Sequence, residues 1–321
     1  MNSWMKMACL AVGAAFVFAS STQGAETART GTVVEIKPNR IYLIDVARAG
    51  ERLVAVGERG FALLSDDAGQ SWKAVETPTV RTLTGVAFNG DKIGVAVGHG
   101  GSLVRTEDGG ETWTAVPLDE AMGESLLGVT ALGDGKFAAY GAFGFYFDTT
   151  DGGRSWTRRI IIDEYFEAHI SQVVAVNGAL WLAGETGTLA RSDDAGATYA
   201  AVPAPYTGSF FGILVAKDGA LLLYGMRGSV FRSADAGVTW SKIETGTTAS
   251  FNGGRVLSDG RIVLVGNAGL IAQSVDNGLA FDVQWSTAGR GFSAVAEVPG
   301  GLVTVGESGA SVLDPATLVR K

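Results

Sequence analysis

Cysteine and histidine are almost absent from this sequence. The one cysteine, Cys9, lies in an apolar stretch at the N-terminus, and the two histidines are His99 and His169. After that stretch there is no thiol to form a disulfide, a nucleophile or a thiolate metal site. No His-Glu-x-x-His motif is present, so zinc catalysis is not expected. We therefore predict no metal and no cofactor.

Positive charge is also in short supply. Lysine and arginine number 25 against 33 aspartates and glutamates, which gives a net charge of −8. Nucleic-acid partners are not expected, because phosphate binding needs a basic surface. The apolar stretch from Ala8 to Ser20 is too short to span a bilayer. We expect a monomer that binds protein and does not itself cross a membrane.

The first 25 residues are typical of a secretory signal peptide. Lys6 supplies the positive charge ahead of the apolar stretch, and cleavage near Ala25 is expected. An exported protein without disulfides fits the bacterial periplasm, or the thylakoid lumen in a phototroph. Residues 26–321 are then predicted to form one domain.

An eight-residue motif, which we call the box, organises this domain. Its pattern is Ser/Thr-x-Asp-x-Gly-x-Ser/Thr-aromatic, as in Thr106–Trp113, and it recurs every 41 or 43 residues. The aspartate can accept hydrogen bonds inside a tight turn, and the glycine can adopt the left-handed conformation that the turn needs. The six structural aspartates are Asp67, Asp108, Asp151, Asp194, Asp235 and Asp276. In the last box, Ala280 replaces the second hydroxyl residue.

A second motif, Gly-x-x-Gly, precedes each box and occurs seven times, from Gly57–Gly60 to Gly306–Gly309. Two motifs in phase, with strand-like segments between them, predict an all-β, seven-bladed β-propeller with about 40 residues per blade. Each blade should be a four-stranded antiparallel sheet with strands a to d. In the second repeat these are Leu83–Phe88, Lys92–Val97, Ser102–Arg105 and Trp113–Pro117.

The last repeat, which begins at Phe292, has no clear fourth strand. We predict that an N-terminal strand, Gly31–Ile36, supplies it and closes the ring. The alternative is that Thr317–Val319 supplies it.

Strand direction assigns the motifs to opposite faces. The boxes are c–d turns and should lie on the outer rim of one face. The Gly-x-x-Gly turns are b–c turns and should surround the channel on the other face, together with the d–a loops, of which the longest is Arg158–His169. Loops on a rigid scaffold usually carry function. The candidate binding residues on this face are Arg59, Arg81, His99, Arg158, Arg159, Tyr165, His169, Tyr206, Arg227 and Arg290. Of the loop aromatics, Tyr165, Phe166 and Tyr206 are the candidates for an exposed contact.

The boxes resemble the Asp-box, or BNR repeat, of sialidases, other glycosidases and non-enzymatic propellers. The longer phrase Val95–Trp113 resembles the photosystem II stability/assembly factor family of seven-bladed propellers, and the resemblance covers residues 40–313. It implies a non-catalytic protein that holds or assembles a membrane-protein complex from the lumenal or periplasmic side.

Two alternatives remain open. One is a glycoside hydrolase, for which Glu58, Glu185 and Glu307 occupy the same position of three Gly-x-x-Gly turns. A sialidase is a poor match, because Arg40-Ile41 is followed by Tyr42 where the resemblance calls for proline. The other alternative is a module that binds a glycan or peptide without turnover.

Overall fold

Seven antiparallel sheets make up the computed structural model, which describes residues 37–320. The predicted signal peptide and the predicted strand Gly31–Ile36 lie outside these residues. Four blades have the strand bounds that follow. Blade 1 is β1 (Leu43–Ala49), β2 (Arg52–Gly57), β3 (Phe61–Ser65) and β4 (Lys73–Glu76); blade 2 is β5 (Leu83–Asn89), β6 (Ile93–Gly98), β7 (Leu103–Thr106) and β8 (Thr114–Ala115); blade 3 is β9 (Leu126–Gly133), β10 (Lys136–Gly141), β11 (Tyr146–Thr149) and β12 (Thr157–Arg159); blade 4 is β13 (Ile170–Val176), β14 (Ala179–Gly184), β15 (Leu189–Ser192) and β16 (Ala200–Ala201).

The remaining blades follow the same order. Blade 5 is β17 (Phe210–Val215), β18 (Leu221–Gly225), β19 (Val230–Ser233) and β20 (Ser241–Ile243); blade 6 is β21 (Phe251–Val256), β22 (Ile262–Gly266), β23 (Leu270–Ser274) and β24 (Asp282–Ser286); blade 7 is β25 (Phe292–Val298), β26 (Gly301–Gly306) and β27 (Gly309–Val312), and a last strand β28 is Leu318–Val319. The helical segments in the described residues are 3-10 turns at Glu58–Gly60, His99–Gly101, Asp119–Ala121, Ala142–Gly144, Glu185–Gly187, Met226–Gly228, Asn267–Gly269 and Pro315–Thr317.

The first strands of the blades form the inner wall of a closed ring. Each contacts the first strand of the next blade, and β25 returns to contact β1. The core consists of seven apolar clusters, each between two adjacent blades, so no blade buries its faces alone. The predicted seven-bladed propeller is therefore confirmed, and the four strands of the second repeat lie within a few residues of their predicted bounds.

The last blade has three strands among the described residues. The predicted alternative for its fourth strand is wrong, because β28 pairs with β24 of blade 6, with Trp285 opposite Val319. The chain directly after the predicted N-terminal strand does reach blade 7, where the Pro38 carbonyl accepts a hydrogen bond from the Ala310 N–H at 3.2 Å.

The two glycine motifs lie on opposite faces, since Gly-x-x-Gly joins the second and third strands and the box joins the third and fourth. A Cβ on the first glycine of any Gly-x-x-Gly turn would lie 2.0–2.4 Å from the backbone oxygen just ahead of the inner strand. Only glycine fits so close an approach. We call the face with these turns and the d–a loops the turn-loop face, and the opposite one the box face.

Each box is held by its own side chains. In the second box the Thr106 hydroxyl donates to Asp108 Oδ1 at 2.7 Å and accepts the Gly110 N–H at 3.0 Å. Asp108 Oδ1 also accepts the Thr112 N–H at 2.9 Å, and Oδ2 accepts the Thr112 hydroxyl at 2.6 Å. The same donors lower the pKa of Asp67, Asp194 and Asp235 to about 2, with the hydroxyl at the seventh position as the largest cause.

The boxes also join the blades, which their sequence does not reveal. The box glycine has a φ between +81° and +94° and faces the preceding blade. A Cβ on Gly237 of blade 5 would lie 2.3 Å from the Trp181 ring of blade 4, and one on Gly278 of blade 6 would lie 2.1 Å from Leu222 Cδ2 of blade 5. The turn therefore presents bare backbone to its neighbour.

We predict that Gly237→Ala lowers the free energy of unfolding by at least ~2 kcal/mol, because a left-handed alanine is strained and its methyl group overlaps Trp181. The neighbouring Ala236 is also left-handed, at φ 55°. Ala236→Gly is the matched control and should leave stability unchanged or raise it. Urea unfolding of the three proteins measures both effects, and equal stability of Gly237→Ala and wild type would contradict the inter-blade contact.

We predict that Asp108→Ala lowers the melting temperature by about 2 °C. Losing the clamp costs on the order of 1 kcal/mol after allowance for its exposed position. Asp276→Ala should cost less, because Ala280 gives Asp276 no second hydroxyl partner. Differential scanning calorimetry of the two variants gives the ranking, and the reverse order would be inconsistent with the proposed clamp.

The depressed box pKa values also predict a dependence of stability on acid. A carboxyl whose pKa is lower folded than unfolded contributes stability above its unfolded pKa, near 3.8, and loses it as the pH falls through about 2. Melting temperatures should therefore fall steeply between pH 4 and pH 2. A triple variant with asparagine at Asp67, Asp194 and Asp235 should show a shallower fall, and an identical slope in both proteins would exclude the boxes as its cause.

Candidate functional site

Every inner strand has a β-bulge at its second residue, on the turn-loop face. In blade 4, Ile170 pairs with Gly184 and Gln172 with Ala183, so Ser171 is left over. The same shift occurs in all seven blades. Bulges re-aim side chains at the rims of barrels and next to active sites. The seven bulge residues are Ile44, Thr84, Leu127, Ser171, Phe211, Asn252 and Ser293.

The b–c turn of each blade is tied to this bulge. The N–H of its first residue donates to the carbonyl just ahead of the inner strand in all seven blades, for example from Glu185 to His169 at 3.0 Å. The bulge and the b–c turn of each blade are therefore close together at the mouth of the channel. The first turn residues are Glu58, His99, Ala142, Glu185, Met226, Asn267 and Glu307.

One side of this mouth holds a cavity of about 420 Å³, which we call the mouth cavity. It lies at the starts of the inner strands of blades 3 to 6, and its volume is that of a small-ligand pocket. Its lining residues are Leu127, His169, Ser171, Glu185, Ser209, Phe211 and Asn252.

His169 and Glu185 form the polar centre of the mouth cavity. Glu185 Oε1 accepts the His169 N–H at 2.9 Å and lies 3.2 Å from His169 Nδ1. Both side chains remain more than a third exposed. The other side of the His169 ring meets Phe143 edge-on, with ring centroids 5.0 Å apart.

Phe143 leads to a second cavity of about 370 Å³ on blade 3, which we call the blade 3 cleft. Arg158 lies in its wall with its guanidinium 4.3 Å from the centre of the Phe145 ring. Arg159 donates to Asp148 Oδ2 at 2.9 Å. The lining residues are Glu120, Phe143, Gly144, Arg158, Arg159, Ile160, Ile161, Asp163, Glu164 and Phe166.

Four exposed apolar residues line this cleft or lie within two residues of its lining along the chain. Ile160 is 69% exposed, Tyr165 82%, Met122 69% and Phe143 49%. Phe143 and Ile160 line the cleft directly, and Tyr165 sits between two residues that do. We call these four residues the blade 3 patch. An exposed apolar group rimmed by charged residues marks an interaction site.

The candidate residues proposed from sequence are spread around the turn-loop face. Only His169 lines the mouth cavity, and only Arg158 and Arg159 line the blade 3 cleft. Arg59 and Arg227 occupy the exposed tips of b–c turns on blades 1 and 5, and Arg290 lies in the loop between blades 6 and 7.

Arg81 and His99 lie together beside blade 2. A Cβ on Gly100, next to His99, would lie 1.7 Å from Arg81 Nη1, so the arginine covers that turn. The His99 Nδ1 is 3.1 Å from the Ser125 hydroxyl.

Three expectations about this face need correction. The long loop begins at Ile160, because Arg158 and Arg159 belong to β12 and pair with β11. Tyr206 is half-buried and packs on Phe210 and Phe231, with centroids 6.1 and 5.7 Å away. Phe166 likewise packs against the core between blades 3 and 4. Tyr165 is the exposed member of the three aromatic candidates.

Sequence reasoning missed Phe143, Ile160 and the bulge residues that line the mouth cavity. Phe143 could have been found, because it is an aromatic residue at a turn tip that holds arginine, glycine, threonine or alanine in the other 3-10 b–c turns. The bulge residues carry no such signal, since an unpaired residue is recognised only from strand register.

Beneath the mouth, Asp45 stabilises the ring itself. Its carboxylate accepts the Val46 N–H at 2.8 Å and the Val86 N–H of the next blade at 2.9 Å. Burial raises the pKa of Asp45, although these hydrogen bonds and the charge of Arg255 oppose that effect.

Within residues 37–320 there is no cluster of three or more His, Cys, Asp or Glu side chains able to hold a metal. The same residues form no helix of the length and apolarity needed to cross a bilayer.

Comparison with known proteins agrees with this geometry. A solved structure titled "YCF48 bound to D1 peptide" matches with a TM-score of 0.70 and 17% identity, over 88% of this chain and 97% of that one. YCF48 from Cyanidioschyzon merolae matches with a TM-score of 0.68 and 15% identity, over 86% and 95%. The GH74 xyloglucanase from Xanthomonas campestris also matches, with a TM-score of 0.68 and 14% identity, over 87% of this chain and 54% of the enzyme. At these identities the matches show a shared fold.

The family comparison is more specific. No curated protein matched the chain in the sequence comparison. The family model described as photosynthesis system II assembly factor YCF48 matches residues 55–145 and 138–293, which together span most of the propeller. The chain therefore belongs to the YCF48 assembly factor family.

Proposed function

We propose that this protein is a non-catalytic, exported scaffolding factor that binds a segment of a client protein during assembly or stabilisation of a membrane-associated complex. The observation that carries the proposal is the blade 3 patch beside the mouth cavity, on a member of an assembly-factor family. The solved structure of YCF48 bound to a D1 peptide has the same fold, which supports a protein segment as the partner here. Export rests on the signal-peptide character of residues 1–25.

The distribution of exposed residues supports the turn-loop face as the contact surface. The three large aromatic side chains that are at least two-fifths exposed in the described residues, Tyr42, Phe143 and Tyr165, all lie on this face. The exposed apolar residues of the box face are aliphatic and belong to the boxes, as in Val238 and Val275. Aromatic anchors contribute most to protein–protein contacts.

The single carboxylate of the mouth cavity favours binding over hydrolysis. A glycosidase needs two carboxyl groups facing each other across the bond that is cleaved. Of the three turn glutamates, Glu185 alone lines the mouth cavity, and it is hydrogen-bonded to His169. The shared fold with a GH74 enzyme carries no catalytic residues to this chain.

We predict that photo-crosslinking from position 165 in the periplasm or lumen captures a protein component of a membrane complex. A double substitution, Ile160→Ser with Tyr165→Ser, should lower the yield of the same client in affinity capture at least about tenfold, because it removes two exposed anchors. The matched control is Val238→Ser with Val275→Ser, since these residues are 80% and 82% exposed on the box face.

Equal loss in the control pair would contradict the assignment of the contact to the turn-loop face. Full capture by the blade 3 double variant would contradict the role of the blade 3 patch. Turnover of a glycan panel, abolished by Glu185→Gln, would replace the scaffolding proposal with glycoside hydrolysis.

A further inference from the structure

Some polar atoms of the mouth cavity already have a hydrogen-bond partner in the protein, and others do not. Glu185 Oε1 is occupied by His169, whereas Oε2 has no hydrogen bond to any described residue. The hydroxyls of Ser171 and Ser209 likewise have no partner among residues 37–320. The cavity therefore offers three oxygen atoms to an incoming ligand.

Asn252 adds a fourth oxygen. Its Nδ2 lies 2.9 Å from Asn267 Oδ1 and 2.9 Å from the Phe292 carbonyl oxygen. A carbonyl oxygen only accepts, so this nitrogen must be the donor and the orientation of the amide is fixed. Asn252 Oδ1 is left to accept from the cavity.

His169 does not change the preference of the cavity for a ligand that donates hydrogen bonds. Its Nδ1 is 3.2 Å from the Glu185 carboxylate and 3.4 Å from the Phe143 N–H. Both contacts engage Nδ1, so this nitrogen is not available to a ligand in the cavity. No lysine or arginine lines the cavity.

The apolar part of the lining is also compatible with a cationic ligand that donates hydrogen bonds. Phe211 and Leu127 supply the walls, and an aromatic face attracts a cation. The chain already shows this kind of contact in the blade 3 cleft, where the Arg158 guanidinium lies over the Phe145 ring. A carboxylate oxygen, an amide oxygen and two hydroxyls beside an aromatic ring are matched by a guanidinium or an ammonium group.

We propose that the mouth cavity binds one basic side chain, arginine or lysine, of the client protein. This inference rests on the proposed function and specifies the chemistry of the partner. The blade 3 patch adjoins the cavity through the contact of Phe143 with His169. A client segment seated on the blade 3 patch can therefore place the next long side chain over Glu185.

The test uses the whole protein and small probes. Chemical-shift titration should show that N-acetyl-arginine amide perturbs the backbone signals of Ser171, Phe211 and Asn252. N-acetyl-citrulline amide has nearly the same shape without the charge and should bind at least about tenfold more weakly. N-acetyl-lysine amide tests the ammonium form, and N-acetyl-glutamate amide should leave these signals unchanged.

Two variants connect the binding to the cavity. Glu185→Gln keeps an oxygen for the His169 N–H but removes the charge, and should weaken the arginine probe about tenfold. Glu51→Gln removes the same charge from the box face, where Glu51 pairs with Arg48, and should change nothing. Ser171→Arg should fill the cavity with its own guanidinium and abolish binding of the probe.

Equal binding of arginine and citrulline, preference for the glutamate probe, or equal weakening by Glu51→Gln would each overturn the inference. So would the absence of any arginine or lysine binding, and the proposed function would then stand if the client were still captured through the blade 3 patch. Arginine binding without client capture would instead retain the cation site and remove the scaffolding role.

Discussion

The ring depends on one repeated contact, in which a left-handed glycine presses bare backbone against the blade before it. The box side chains hold that glycine in place through hydrogen bonds to the backbone of the turn. A hydroxyl and a carboxylate hydrogen-bond three backbone N–H groups of the turn, and the glycine is then fixed where a methyl group would overlap the neighbour. A local turn is thus converted into a joint between blades, and six of the seven apolar clusters lie between blades that are joined in this way.

The turn-loop face contains no boxes. There the first glycine of each b–c turn lets the second strand approach the start of the inner strand, and the bulge turns one further residue toward the channel. The backbone is the same in every blade, but the side chains differ from blade to blade. Chemistry is therefore concentrated where blades 4 to 6 contribute His169, Glu185, Phe211 and Asn252.

The fold could be predicted because each glycine motif has a physical reason to recur. Spacing gave the number of blades, and strand direction assigned the two faces. The site was predicted less well, because side-chain exposure is decided by packing between blades. Tyr206 reads as a loop aromatic, yet its ring stacks on Phe231, whereas Tyr165 in a similar loop is 82% exposed. The sequence around Arg158 predicts a loop, because a three-residue edge strand such as β12 has too few residues to show an alternating pattern.

The repeated bulge has an evolutionary consequence. Each blade carries two positions, the bulge residue and the first turn residue, whose backbone geometry recurs while their side chains differ from blade to blade. The first turn residues include alanine, methionine, histidine and glutamate, and the bulge residues include isoleucine, threonine, phenylalanine and asparagine. Mutation can therefore change the surface at the mouth of the channel one blade at a time while the strand pairing is kept, so that a single architecture can present many different surfaces.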